Sequence, residues 1–168
     1  MDKAPERPLE GIRVVEVAMW AFVPVAGGIL ADMGADVIKV EPPTGDPLRG
    51  LRTDLGVEDG PAIDYSWESY NRGKRSITLD LKQEGGREAL YKLIESADVF
   101  LTNLLPPARR KMGIDCDTLR QRNAQLIYAV GSAVGQQGPE GDKGGYDSIS
   151  FWARGGIAST MTPDGADA

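Results

Sequence analysis

The sequence predicts an α/β fold in which helices cover a parallel β-sheet. Two observations predict it: β-branched runs alternate with helical segments along the chain, and the opening has a strand, an apolar helical segment and a second strand in succession. Such an opening is typical of a parallel βαβ unit. A length of 168 residues is near the commonest size of one domain, so a single domain over residues 1–168 is expected.

Each element is predicted from hydrophobic periodicity and from the turn residues at its ends. Short β-branched runs between Gly, Pro and Asp predict strands, and apolar residues three or four positions apart predict helices. The segment 42–68 is too rich in Pro, Gly, Asp and Arg for either, so it is expected to be a long loop, part of which packs down. Strands are predicted over 12–17, 36–41, 76–81, 98–102 and 125–130. Helices are predicted over 25–33, 82–97, 117–122 and 146–158, with a helical turn over 106–112 and a glycine-rich loop over 131–145. Asp115 or Asp117 is expected to cap the helix over 117–122.

Composition and charge exclude several classes of function. The chain has no histidine and one cysteine, Cys116, which excludes the usual structural zinc sites, an internal disulfide and any Ser-His-Asp or Cys-His triad. A formal charge of −6 argues against broad nucleic-acid binding. No apolar run reaches the ~18 residues of a membrane span, and the first residues lack the apolar stretch of a signal peptide. We therefore expect a cytoplasmic protein with no metal, nucleic-acid or membrane partner.

The common nucleotide-binding motifs are missing from the turns where they would be needed. A dinucleotide site requires G-x-G-x-x-G where the first helix begins, and residues 19–24 (MWAFVP) contain no glycine. The phosphate loop of nucleotide hydrolases also fails, because Glu68 stands where its first glycine would be. An NAD-dependent enzyme and a P-loop hydrolase are thus disfavoured.

Two compact basic clusters have two interpretations. The first contains Arg72, Lys74 and Arg75, and the second contains Arg109, Arg110 and Lys111. On an acidic protein such a cluster can bind a small anionic ligand, but charge alone favours a solvated surface. The second cluster follows a predicted strand, at the end of a parallel sheet where ligands bind, whereas the first precedes its strand.

Asp147 also has two interpretations, because it opens the predicted helix over 146–158. It can be an N-cap that accepts hydrogen bonds from the first free backbone amides. It can also be a catalytic carboxylate that acts as an oxygen nucleophile. Position alone favours the N-cap.

A series of motifs in this chain resembles the class III CoA-transferases of the formyl-CoA transferase and carnitine-CoA transferase type. The resemblance begins in residues 8–16 (PLEGIRVVE) and 30–41 (LADMGADVIKVE). It continues in order nearly to the end of the chain, and together the matches are highly specific. The further matches are 45–47 (GDP), 71–82 (NRGKRSITLDLK), 97–99 (ADV), 112–113 (MG), 126–128 (LIY) and 145–147 (GYD).

The resemblance implies a Rossmann-like large domain, an interlocked homodimer and transfer of CoA between carboxylic acids. In that family an aspartate attacks the acyl-CoA thioester to give a mixed anhydride and CoA thiolate. The thiolate then forms an aspartyl-CoA thioester, and the acceptor acid is loaded by the reverse steps, which is covalent catalysis. CoA thioesters and free acids are substrates, so no covalently bound cofactor is expected.

The resemblance also implies a partial CoA pocket in this chain. By this resemblance, the turn after the first strand contributes Ala21 and Phe22, and the stretch that contacts adenosine contributes Leu79, Asp80, Leu81 and Lys82. The segment after the fourth strand contributes Asn103, Leu104 and Leu105, and Lys111 stands at a phosphate-pairing position. The approach to the thioester is lined by Gly144, Gly145 and Tyr146.

The chain departs from the family at several positions. Pro42 replaces a basic residue that some members use for CoA phosphate, so Arg49 is expected to substitute for it, and the family's Gly-Pro after the first strand is Val23-Pro24 here. The nucleophilic aspartate of the family falls beyond Ala168, and Asp147 corresponds to an accessory pocket position. We therefore expect an amino-terminal portion of the fold, without the small domain and the carboxyl-terminal return to the large domain, and with no catalytic residue of its own.

Three other functions are possible for a chain with this sequence. A degenerate CoA-binding or scaffolding module would keep the pocket without catalysis. An acyl-CoA racemase is disfavoured, because the related racemases have histidine where this chain has Tyr146, and a phenol is poorly matched to proton abstraction at neutral pH. A generic hydrolase is disfavoured by the lack of histidine and of a nucleophile elbow. Alone, the chain is expected to bind CoA weakly or not at all, not to turn over, and to self-associate through an unpaired sheet edge.

Overall fold

A computed structural model describes residues 7–51 and 64–163 of the chain. The chain divides into two compact units. Unit 1 comprises Met1–Leu104 and Ala108–Gly131, and unit 2 comprises Leu105–Pro107 and Ser132–Ala168.

Unit 1 is built on a five-stranded sheet whose neighbouring strands all run parallel. Its strands are β1 (Arg13–Val17), β2 (Asp36–Glu41), β3 (Arg75–Thr78), β4 (Val99–Thr102) and β5 (Ile127–Val130). The spatial order is β3-β2-β1-β4-β5. The chain therefore builds one half of the sheet outward from β1, then returns to place β4 on the other side of β1. This confirms the predicted α/β fold with a parallel, Rossmann-like sheet.

The helices connect these strands or follow the last of them. They are α1 (Phe22–Asp32), α2 (Tyr65–Asn71), α3 (Glu84–Ile94), α4 (Pro106–Met112), α5 (Cys116–Arg122) and α6 (Ile157–Met161), with a 3₁₀ turn at Pro47–Gly50 and a π-helical turn at Ser148–Ala153. Within the described residues, no helix is long and apolar enough to cross a membrane.

The central strands β2, β1 and β4 are buried on both faces, as expected for parallel strands covered by helices, whereas all four residues of the edge strand β3 are exposed. Alternate residues of β1 point to opposite faces, so Val14 belongs to one hydrophobic cluster and Val15 to the other. The Val14 cluster includes Val23 and Ala31 of α1. The Val15 cluster is larger, with Leu90 and Ile94 of α3, Leu119 of α5, Phe100 and Ile114. The central strands therefore have no solvent-facing side.

The bounds of the first helix and the third strand differ from the predictions. Helix α1 begins at Phe22, three residues earlier than predicted, and Pro24 fits within its first turn because the amides there need no helical partner. Strand β3 ends at Thr78 and does not continue to residue 81. The chain turns there, since the Asp80 carboxylate accepts a hydrogen bond from the Lys82 amide at 3.0 Å and the Asp80 carbonyl accepts one from Gln83.

Two further predictions need correction. The segment predicted as a loop over 42–68 contains the start of α2, whose N-cap Asp64 accepts hydrogen bonds from the amides of Ser66 and Trp67 at 3.0 Å. The predicted helix over 146–158 is instead a π-helical turn and a separate α6, broken at Gly156, which has φ of 76°. Asp115 caps α5 through the Thr118 amide at 3.1 Å, which confirms one of the two predicted caps.

Unit 2 is organised by contacts within its loop and short helices. Glu140 pairs with Lys143 at 2.8 Å and also with Arg154. Gly145 lies so close to Ser150 that a Cβ there would be 2.4 Å from the Ser150 Oγ. Among the described residues of unit 2 none is fully buried, and the large apolar side chains Ile149, Phe151, Trp152 and Met161 are exposed.

Candidate functional site

The order of the strands reverses at β1, so the carboxyl ends of β1 and β4 form the topological switch point of the sheet. In open α/β sheets this switch point is where ligands bind. The chain after β1 forms a short turn over residues 18–21, and Asn103 follows β4. Asn103 spans the gap between the two strands: its Oδ1 accepts a hydrogen bond from the Met19 amide at 3.0 Å, and its Nδ2 donates one to the Met19 carbonyl at 2.7 Å. We call this region the switch-point crevice.

The turn between β1 and α1 has an unusual backbone. Trp20 has φ of 66°, and it is the one non-glycine residue with positive φ among those the structure describes. Such a conformation costs about 1–3 kcal/mol for an ordinary residue and persists only where its surroundings hold it. The Trp20 amide donates to Oδ1 of Asp46 at 3.1 Å. Side-chain hydrogen bonds thus hold the backbone of this turn, whereas dinucleotide-binding folds have glycines at the corresponding turn.

A buried group of charges lies directly beneath this turn. Lys39 of β2 is 1% exposed, and its Nζ lies 3.2 Å from Oε1 of Glu16, 2.9 Å from Oδ2 of Asp46 and 3.0 Å from the Ala18 carbonyl. Glu16 and Lys39 are opposite each other in the register of β1 and β2. Because burying an unpaired charge is costly, these side chains must stay together in the folded protein.

A second lysine completes the buried group. Nζ of Lys74 lies 2.9 Å from Oε2 of Glu16, and it donates to the Pro24 carbonyl at 2.7 Å and to Asn71 at 3.1 Å. Burial raises the pKa of Glu16 in spite of the two ammonium groups beside it. Burial likewise lowers the pKa of Lys74, although Glu16 opposes this shift. Glu16, Lys39, Asp46 and Lys74 carry two negative and two positive charges, so we call them the buried charge cluster.

Glu41 at the end of β2 holds Arg49 in place. Its two carboxylate oxygens accept hydrogen bonds from Nε and Nη2 of Arg49, each at 2.8 Å, and Oε1 also accepts one from Ser76 at 2.7 Å. The Arg49 guanidinium stacks on Trp67, with Cζ 3.6 Å from the ring centroid. Burial acts to raise the pKa of Glu41, but Arg49, Ser76 and the Asp46 amide outweigh it and lower the pKa to about 2. Arg49 is therefore already paired with a carboxylate.

We expect Glu41→Gln to reduce the acid sensitivity of folding. The pKa of Glu41 is lowered from its ordinary 4.5 to about 2, so the stabilisation is present above the unfolded pKa and is lost as pH falls towards 2. Because Arg49 is partly exposed, water screens the Glu41–Arg49 pair. We therefore expect the free energy of unfolding of the wild type to fall by about 2 kcal/mol as the pH is lowered through these values. Urea unfolding between pH 6 and pH 3 should give a flatter profile for Glu41→Gln. Equal slopes for the two proteins would contradict this assignment.

The residues expected to contact CoA in unit 1 follow the carboxyl ends of three strands. Ala21 and Phe22 follow β1, Leu79 to Lys82 follow β3, and Asn103 and Leu104 follow β4. Phe22 is 69% exposed and lies against Gly131, where a Cβ would be 2.8 Å from the Phe22 ring. Leu81 is buried in the larger hydrophobic cluster. Within unit 1 the parallel sheet thus brings these segments to one edge.

The remaining predicted site residues lie on α4 and in unit 2. Lys111 is exposed in the last turn of α4, and its ammonium makes no ion pair among the described residues. In unit 2, Gly144 lies near Leu105, since a Cβ on Gly144 would be 3.6 Å from that side chain. Gly145 and Tyr146 follow in the same loop, with Tyr146 59% exposed. Asp147 stands at the N-cap position of the π-helical turn, as predicted, but its side chain accepts no capping hydrogen bond, which corrects that part of the interpretation. Its pocket role stays a prediction.

Internal carboxylates occupy the first basic cluster. Arg72 pairs with Asp32 at 2.5 Å, Arg75 pairs with Asp36 at 2.6 Å, and Lys74 belongs to the buried charge cluster. The charges of this cluster are therefore already paired within the chain, and at Lys74 the cluster is not a solvated surface. In the second cluster Arg109 is buried, with Nη1 3.3 Å from the Tyr128 hydroxyl.

The buried charge cluster is not among the features predicted from the sequence. One signal could have found it, because Glu16 and Lys39 interrupt β-branched runs in two strands that the fold buries on both faces. Charged residues at such positions need partners of opposite charge. Asp46 gave no comparable signal, since it lies in a loop 5 residues after β2 in sequence.

Comparison with known proteins decides the family. A sequence profile described as CoA-transferase family III matches residues 9–167. The chain belongs to CoA-transferase family III. It is 37% identical over 155 residues to cinnamoyl-CoA:phenyllactate CoA-transferase of Clostridium sporogenes, covering 92% of this chain and 38% of that protein. It is 43% identical over 171 aligned residues to succinate–glutarate CoA-transferase of Agrobacterium fabrum, covering 98% and 42%.

Solved structures of family III share the fold. The hypothetical protein Rv3272 from Mycobacterium tuberculosis has a TM-score of 0.83 and 35% identity, covering 98% of this chain and 44% of that one. A CAIB/BAIF family protein from Brucella suis has a TM-score of 0.78 and 40% identity, covering 95% and 42%. The chain therefore spans about two-fifths of the length of the family III proteins that it matches.

Proposed function

We propose that this chain is the CoA-binding part of an enzyme that moves CoA between an acyl-CoA and a free carboxylic acid. Membership of family III supports the reaction class. Relatives are named for transfer to or from phenyllactate, succinate, glutarate and oxalate, which are all carboxylic acids. We also infer that the whole protein is a cytoplasmic homodimer, as the family resemblance and the single cysteine indicate.

The observation that carries the proposal is the switch-point crevice. Predicted CoA contacts in three separate segments of unit 1 follow the carboxyl ends of β1, β3 and β4, although up to 83 residues of sequence separate them. The first turn of α1 leaves the Phe22 and Val23 amides without helical partners, and free amides at a helix start favour anionic groups such as phosphates. Both features suit a ligand with a phosphorylated, nucleotide-like end.

Catalysis is proposed to need a carboxylate that this chain does not supply. In the proposed reaction an aspartate oxygen attacks the thioester carbonyl and expels CoA thiolate, leaving an acyl-aspartyl anhydride. The thiolate then attacks the aspartyl carbonyl, which releases the carboxylate product and leaves an aspartyl-CoA thioester. We place that aspartate in the part of the family sequence that the chain does not cover, and Asp147 is proposed to line the pocket.

Titration of the ¹⁵N-labelled chain with CoA, followed by NMR, tests this function. Weak binding should shift the amide signals of Ala21, Phe22, Leu79 and Asn103, because they follow the carboxyl ends of β1, β3 and β4. The same chain should not transfer CoA from acyl-CoA to succinate. Of the two outcomes expected from the sequence, weak binding or none, the proposal commits to weak binding, so no shift at millimolar CoA would overturn it. Rapid turnover would overturn the placement of the nucleophile.

Lys111→Ala is expected to weaken CoA binding about three- to tenfold, the effect of losing one charge-assisted contact with phosphate. Lys92→Ala is the matched control, because Lys92 is also an exposed helical lysine, on α3. The NMR titration gives both dissociation constants, and far-UV circular dichroism checks that the variants remain folded. Equal affinities for the two variants would remove Lys111 from the site.

A further inference from the structure

The turn between β1 and α1 is held by side chains at four consecutive backbone groups. Lys39 binds the Ala18 carbonyl, Asn103 binds both the amide and the carbonyl of Met19, and Asp46 binds the Trp20 amide. The distances from donor to acceptor range from 2.7 to 3.1 Å. Buried backbone groups need partners, and here β2, the loop after β2 and the residue that follows β4 supply them.

Asp46 is the central member of this arrangement. It is 2% exposed, its Oδ1 accepts from both Trp20 at 3.1 Å and Leu48 at 3.0 Å, and its Oδ2 lies 2.9 Å from Nζ of Lys39. Its own amide donates to Glu41 at 3.1 Å. One carboxylate is thus fixed by β2 and by the 3₁₀ turn, and it binds the residue that immediately precedes the CoA contacts Ala21 and Phe22.

The left-handed conformation of Trp20 explains why this contact matters. α1 begins two residues later, so the φ of 66° at Trp20 sets the direction in which the helix leaves the sheet. An ordinary residue released from its partner would relax towards negative φ. Ala21 and the first turn of α1 would move with it, because they follow directly in the chain.

We propose that Asp46 is a positioning residue of the CoA site, which holds the Trp20 amide and thereby fixes Ala21 and Phe22 at the switch-point crevice. This inference rests on the proposed CoA binding. Lys39 orients the Asp46 carboxylate and neutralises it, so that Oδ1 faces the two amides. Asp46 acts through the backbone and does not itself contact the ligand.

Two double variants separate the acceptor from the ion pair. Lys39→Met/Asp46→Asn removes both charges but keeps an oxygen acceptor for Trp20, and Lys39→Met/Asp46→Ala removes the acceptor as well. Because both variants lack Lys39, they differ only in the acceptor for Trp20. We expect the Ala variant to bind CoA at least about tenfold more weakly than the Asn variant, the effect of losing one hydrogen bond to a strained turn. Equal affinities in the two variants would overturn the proposal.

Glycine at position 20 distinguishes positioning from a general loss of structure. Glycine adopts positive φ readily, so adding Trp20→Gly to Lys39→Met/Asp46→Ala should recover CoA affinity at least about threefold. It should do so without raising the melting temperature, because glycine also loosens the unfolded chain. If Asp46 acted only by capping the 3₁₀ turn through the Leu48 amide, Trp20→Gly would not restore CoA affinity.

The wild-type chain provides a measurement that does not depend on the folding of any variant. The Trp20 amide, bound to a buried carboxylate, should exchange with D₂O at least about a hundredfold more slowly than the exposed amides of Gly135 and Gly138. Exchange at the same rate would overturn the proposal. A wild-type chain that protects this amide but binds no CoA would instead overturn the proposed function, and with it the role of Asp46 in binding.

Discussion

Gly27→Ala is expected to destabilise unit 1 by about 2–4 kcal/mol, although alanine normally favours a helix over glycine. Gly27 lies in α1 directly above the buried charge cluster. A Cβ there would be 1.9 Å from Oε2 of Glu16 and 3.1 Å from Nζ of Lys74. Neither group can move aside cheaply, because both are buried and pair with each other.

Gly85→Ala is the matched control for this prediction. Gly85 is also helical, in the first turn of α3, but no atom lies within 4 Å of the place where its Cβ would be. Its substitution should therefore leave stability unchanged or raise it by up to about 1 kcal/mol. Urea unfolding of both variants measures the difference. A stabilising Gly27→Ala would show that α1 does not lie close to the Glu16 carboxylate.

The sequence predicts best the elements whose signals are local. β2 is predicted as 36–41 and found as Asp36–Glu41, because a β-branched run is bounded there by Ala35 and Pro42. α4 is likewise found as Pro106–Met112, between a strand and Gly113. α2 was missed because its apolar residues are few and its only clear signal, the N-cap Asp64, lies in a segment rich in Pro and Gly.

The candidate site is predicted less completely, because its geometry depends on the order of the strands. The family resemblance names residues in several segments, and the parallel sheet brings the unit 1 segments to one edge. The partners of these segments cannot be read from any one of them: Asp46 meets Trp20 across 26 residues of sequence, and Asn103 meets Met19 across 84. Arg72 and Arg75 resemble an anion site in sequence, yet Asp32 and Asp36 neutralise them across about 40 residues.

Lys39→Met is expected to destabilise the chain by about 3–5 kcal/mol, the usual cost of leaving a buried charge without its partner. Glu16 keeps Lys74, but Asp46 loses its cation and the Ala18 carbonyl loses its donor. Asp46→Asn alone should cost about 1–3 kcal/mol, because Lys39 retains Glu16. Urea unfolding in a fixed concentration of trimethylamine N-oxide keeps all the variants in a measurable range.

The double variant Lys39→Met/Asp46→Asn decides whether the two side chains act as a pair. In this variant the buried charge cluster stays neutral, because Glu16 and Lys74 still pair. Its loss in free energy of unfolding should therefore be smaller, by about 1–3 kcal/mol, than the sum of the losses in the two single variants. The control cycle combines Lys39→Met with Asp115→Asn, since Asp115 caps α5 and is not part of the cluster. That cycle should be additive within about 0.5 kcal/mol. Additivity in both cycles would mean that Lys39 and Asp46 contribute to stability independently and do not act as a pair.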